Sequence, residues 1–156
     1  MKPALAALAA FLLIRAFGLD PFVSREVETL LPVQVLVAEA VPGGVRVSTD
    51  NGLRGAGADY ETAMARLEAA APGTAFFGTC GAVVLCGVGL DAAVIRDARL
   101  RPNCSVYRCE QTPSAETLAG FLAVRESPAT ILDLRHGRGE PARLIPTEGG
   151  WMLAAP

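Results

Sequence analysis

Hydrophobic positions fall in short blocks along this chain, and the period within each block predicts its element. The first block is an apolar run from Pro3 to Ile14 behind Lys2, continued by Arg15-Ala16-Phe17-Gly18-Leu19. Ala, Leu and Phe occupy every face of this segment, which predicts an apolar N-terminal helix. Residues 20–32 read as a charged, partly helical connector ending at Pro32. Val33 to Ala40 (VQVLVAEA) is almost continuously apolar, whereas Val45 to Asp50 (VRVSTD) alternates with period two. Joined by Pro42-Gly43-Gly44, these two blocks predict a hairpin.

A glycine-bearing loop, Asn51 to Ala58, leads to Asp59, an N-cap for a helix with Tyr60, Ala63, Met64 and Leu67 on one face. Pro72-Gly73 stops it. Thr74 to Phe77 and Ala82 to Val88 read as β segments, followed by a helix over about Leu90 to Leu100 and a strand over Cys104 to Cys109. Thr112, with Pro113 at the first helical position, opens a third helix whose apolar side is Leu118, Phe121 and Leu122. Thr130 to Leu134 reads as a short strand, and Ala142 to Ile145 with Trp151 to Ala154 as a closing hairpin. The expected fold is α/β (α+β): a mixed sheet, about three packed helices and at least one parallel βαβ unit across Val83 to Cys109. The chain divides into three regions: 1–19 as membrane anchor or signal segment, 20–32 as connector, and 33–156 as a single α/β domain.

The N-terminal run is short of the roughly 20 residues that span a bilayer core, and only the extension to Leu19 makes a marginal span. The same stretch has the length of a signal-peptide apolar region, with Ala16-Phe17-Gly18 loosely matching a cleavage site. Either way Lys2 stays inside and the chain beyond the apolar run is exported.

Composition narrows the partners. A net charge of −2 excludes a nucleic-acid surface, which needs a basic face. Cys80, Cys86, Cys104 and Cys109 lack paired Cys-x-x-Cys spacing, so no zinc site is expected. They read as small buried hydrophobes, with a bridge between neighbouring strands, such as Cys86 to Cys104 or Cys109, left open. Gly52, Gly55 and Gly57 approach a dinucleotide fingerprint, but Tyr60 occupies the third glycine position and there is no lysine for a phosphate loop. The glycines instead predict a turn that lets the following helix dock closely. His136, the single histidine, and the nearby Arg135, Arg138 and Arg143 read as solvated loop residues. No catalytic, cofactor or metal residues are expected.

Several stretches, in order, resemble the N-terminal domain of the C-subunit family of spore germinant receptors, the Ger(x)C proteins. They are Ser24-Arg25-Glu26-Val27-Glu28-Thr29-Leu30, Gly57 to Ala63 leading into Leu67, Phe76-Phe77-Gly78-Thr79 followed by Val83-Val84-Leu85, Arg99 to Tyr107, the helix ending Thr117-Leu118, and Leu144-Ile145-Pro146 with Gly149-Gly150. The resemblance implies a reduced form without the family's lipid-bearing cysteine or later domains. It implies a non-catalytic binding or assembly module on the outer face of a cell membrane, such as the spore inner membrane. Its partners would be the membrane, through residues 3–19, and other germination membrane proteins; the connector face of Arg25, Glu26 and Glu28, next to the membrane, is the expected place of the partner contact. The alternatives are a secreted or envelope enzyme whose site is invisible in sequence, and a structural envelope protein.

Overall fold

A computed structural model describes residues 29–87, 89, 91–125 and 129–154. In chain order its elements are β1 (Leu30–Pro32), β2 (Val35–Val41), β3 (Gly44–Thr49), β4 (Arg54–Gly57), α1 (Tyr60–Ala70), β5 (Thr74–Phe76), a 3-10 turn (Phe77–Thr79), β6 (Ala82–Cys86), α2 (Asp91–Arg96), β7 (Ser105–Cys109), α3 (Ala115–Leu122), α4 (Ile131–Arg135), β8 (Ala142–Thr147) and β9 (Gly150–Ala154).

Strand β2 explains the architecture. Leu36 and Ala38 pack into one apolar cluster while Val35 and Val37 pack into a second. A strand buried on both faces belongs in the middle of a covered sheet. β2 accordingly pairs antiparallel with β3 and parallel with β6, in the order β4-β3-β2-β6-β7-β8-β9. The four inner strands β2, β6, β7 and β8 run parallel, and β4, β3 and β9 add antiparallel pairings at the two sides. Buried residues of α1, α2 and α4 cover one face through Met64, Leu67, Val94 and Ile131. Leu118 and Leu122 of α3 cover the other. The protein is thus a mixed α/β fold with helices on both faces of its sheet.

The glycine stretch has a steric reason. Asp59 caps α1 by accepting from the Thr62 amide at 2.7 Å, which starts the helix immediately after β4. A Cβ on Gly55 would lie 2.6 Å from the Leu67 nitrogen, and one on Gly57 would lie 2.6 Å from the Ala63 nitrogen. Only glycine lets the helix backbone lie this close to the strand.

Several elements differ from the sequence expectation. Arg54 to Gly57, expected as loop, is strand β4, paired with β3 from Val45↔Gly57 to Ser48↔Arg54. The connector ends in β1, which pairs in parallel with β5 as a separate two-stranded sheet. Thr130 to Leu134 is not a strand. Thr130 and Asp133 form a capping box that initiates α4, and Thr130 alone retains a bridge to Ser105. Helix α3 begins after Ser114, because Thr112 spends its hydroxyl on Glu39 of β2 at 2.6 Å.

The membrane-anchored reading is corrected. Among the described residues no helix is long and apolar enough to cross a membrane. The longest, α1, has 11 residues and is about 16 Å long, half the roughly 30 Å of a bilayer core. The anchored assembly module, the membrane partner and the membrane localisation lose their support together. The apolar helix expected over residues 3–19, and the contact residues Arg25, Glu26 and Glu28, lie outside the described residues.

Candidate ligand crevice

Parallel strands deliver their carboxyl ends to one edge of a sheet, and the loops leaving them must diverge. In open α/β sheets this divergence makes the crevice where ligands bind. Here β6 and β7 end side by side at Cys86 and Cys109, β8 runs on past them to Thr147, and a groove of about 800 Å³ opens between the segments that leave β6 and β7 and this continuing stretch of β8. Its volume lies within the range of small-molecule sites.

Gly87 and Gly89 form the first wall, with φ of +101° and +87°, a conformation open to glycine at little cost. They turn the chain from β6 into α2, which begins at Asp91. The second wall is the end of β7, Arg108 to Gln111, and the third is Arg143 to Pro146 of β8. Arg108 and Arg143 are cross-strand partners. Arg108 donates to Asp91 at 2.9 Å, whereas Arg143 is exposed and makes no ion pair with any described residue. Ile145 supplies apolar surface, 39% exposed beside its cross-strand partner Met152, 50% exposed, while Leu85 at the floor is buried. The groove therefore offers one uncommitted cation, one exposed carboxylate, Glu110, that makes no ion pair with any described residue, one committed ion pair and an apolar wall.

The Gly87-x-Gly89 turn after an apolar strand, with Ala92 following and Glu110 at the end of the next strand, is a closer approach to a dinucleotide pattern than the earlier glycines. However, α2 has only 6 residues and carries the Asp91 carboxylate in its first turn. That charge opposes a pyrophosphate at this point. This turn was the overlooked signal for the groove, since two glycines directly behind a buried strand mark a backbone kept clear of side chains.

The thiol in this region is held in its protonated form. Cys109 lies at the groove and donates to the Gln111 carbonyl at 2.6 Å, and burial raises its pKa above the ordinary thiol value. Beside it, burial and the neighbouring Cys109 push Cys86 up to about 12. Both remain protonated near neutrality.

The basic residues singled out near the C-terminus do not form one cluster. Arg143 joins Arg108 in the groove, while the Arg135 Nε donates to the Ile95 carbonyl at 2.6 Å, tying α4 to α2. His136 is exposed and closes α4 with its backbone amide. Among the described residues no group of three or more potential ligands is placed to hold a metal. No family model, curated protein or solved structure matches the chain.

A second groove, about 510 Å³, lies between the polar face of β3 and β4 and the start of α3. Of its charges, Glu39 accepts from Arg46 at 3.2 Å and from Thr112 at 2.6 Å, while Arg54 and Glu116 are exposed and make no ion pair with any described residue. It offers less apolar surface.

Proposed function

We propose that this protein binds a small amphipathic anion, a carboxylate or phosphate on an apolar body, in the crevice at the ends of β6 and β7, beside β8. The observation that carries the reading is Arg143, an exposed guanidinium with no ion-pairing partner among the described residues, set beside the half-exposed Ile145. Arg143 would hold the anionic group through paired hydrogen bonds, and Ile145 would cover the apolar body. Arg108, already held by Asp91, fixes the neighbouring wall and adds positive potential. The reading is of a binding protein, because the groove's thiol stays protonated and its Asp91 carboxylate is engaged with a cation.

The test is a thermal-shift screen of the full chain against aliphatic and aromatic carboxylates and organic phosphates. A ligand at 100 times its Kd stabilises the native state by about 2.7 kcal/mol, a readily measured shift. Hits should lose their effect in Arg143→Ala and in Ile145→Asp. If no anion shifts the transition, or the shift survives both substitutions, the crevice is not the binding site.

A further inference from the structure

The four cysteines converge in pairs that their spacing along the chain conceals. Strands β6 and β7 lie in register from Ala82↔Ser105 to Cys86↔Cys109. At the carboxyl end Cys86 and Cys109 are therefore direct cross-strand partners, on the face covered by α3. At the other end Cys104 immediately precedes β7 and Cys80 lies two residues before β6, with sulfurs 4.0 Å apart, on the face covered by α1, α2 and α4. We infer that these are two dithiol pairs, Cys80 with Cys104 and Cys86 with Cys109, each placed to close a disulfide that staples β6 to β7.

The geometry allows each bond without rearranging the sheet. Cys86 and Cys109 are register partners on neighbouring strands, which lie about 4.8 Å apart, inside the Cα separation a disulfide accepts. For Cys80 and Cys104 a change of side-chain rotamer brings the sulfurs from 4.0 Å to a bond of about 2.05 Å. The same geometry forbids the cross pairing. Cys86 and Cys104 sit at opposite ends of the strand pair and on opposite faces, and Cys80 and Cys109 are separated in the same way.

The oxidant is a disulfide, either of low molecular weight or in an oxidising protein. A cysteine thiolate attacks it, forming a mixed disulfide and releasing one thiolate. The partner cysteine then attacks the protein-side sulfur, closing the intramolecular bond and releasing the second. Two cysteine thiols are oxidised, one external disulfide is reduced to two thiols, and the cysteine protons pass to the leaving thiolates. All four cysteines are buried, so closure takes place as the chain folds or opens locally. At the groove, closure of Cys86 to Cys109 removes the Cys109 hydrogen bond to Gln111 and so reaches the crevice rim. The inference itself does not depend on what the crevice binds.

The test refolds the reduced full-length chain in reduced and oxidised glutathione, blocks remaining thiols, and maps linkages by mass spectrometry. Trypsin leaves Cys80 and Cys86 on one peptide, so chymotrypsin is added to cut after Leu85. The expected products link Cys80 only to Cys104 and Cys86 only to Cys109, and the midpoint of thermal unfolding rises by on the order of 10 °C. Linkage of Cys86 to Cys104, linkage of Cys80 to Cys86, or four thiols that stay free would overturn the inference. Variants give an independent check. Cys80→Ala/Cys104→Ala and Cys86→Ala/Cys109→Ala should each close the remaining pair, while Cys80→Ala/Cys109→Ala should stay reduced. A closed bond in that last variant sinks the assignment.

Discussion

The Tyr60 hydroxyl donates to the Asp97 carboxylate at 2.8 Å, and both residues are buried. The pair joins the first residue of α1 to the turn after α2. Arg99 completes the cluster, donating to Asp97 from its backbone amide at 2.9 Å and its Nε at 2.7 Å, and reaching Glu61 at 2.9 Å. Burial, and then the Asp97 charge, hold the Tyr60 phenol far above its ordinary pKa of 10.0.

This relationship sets an alkaline limit. Above pH 10 an unfolded chain releases the Tyr60 proton while the native state keeps it, so the unfolded state binds fewer protons and stability falls as pH rises. Tyr60's contribution is fully present below pH 10 and declines above it by about 1.4 kcal/mol per pH unit. Tyr60→Phe should cost about 1–3 kcal/mol at neutral pH, since a buried charged acceptor loses a donor, yet flatten the alkaline decline. Urea titrations between pH 7 and 11 measure both; parallel curves for the two proteins would refute the assignment.

The two glycine environments predict opposite signs. Gly55→Ala drives a methyl group into the backbone of α1, and overpacking of this kind costs about 1–3 kcal/mol or more. Gly120 lies within α3, where an added Cβ meets nothing within 4 Å. Gly120→Ala should therefore stabilise the protein by about 0.5–1 kcal/mol. Chemical denaturation of both variants decides the matter.

The buried thiols should be unreactive. With its pKa pushed to about 12, Cys86 at pH 8 presents roughly a thousandfold less thiolate than an ordinary cysteine of pKa about 8.5. Alkylation of the reduced native protein should be at least tenfold slower than that of the urea-unfolded chain, because the greater nucleophilicity of a high-pKa thiolate offsets only part of its scarcity, by about 0.4–0.5 log units per pKa unit. Equal rates would place Cys86 in a more open site.

The crevice arginines should be dispensable to folding. The Arg108–Asp91 pair is half exposed, with side-chain exposures of 55% and 35%, and such a pair contributes about 0–1 kcal/mol. Arg108→Ala should cost no more than this, and Arg143→Ala should leave the unfolding midpoint within error. A large loss from Arg143→Ala would mean that its side chain supports the fold.

Sequence pattern alone determined the inner strands, the Asp59 cap, the α1 face of Tyr60, Ala63, Met64 and Leu67, and the β6–α2–β7 unit. Each depends on a period or a cap formed by residues close in the chain. The same reading placed the four cysteines as buried hydrophobes, and all four are buried. It failed at Thr130 to Leu134, where a short apolar run has no period long enough to separate strand from helix and the Thr130–Asp133 capping box decides. It also failed at Arg54 to Gly57, because glycine is unfavourable in a strand until a helix must lie directly on top of it. Tertiary structure alone decided the crevice and the cysteine partners. Arg108 meets Arg143, and Cys80 meets Cys104, only because strands distant in the chain run in parallel register. That register is set by burial on both faces of the whole sheet, which no local stretch of sequence contains.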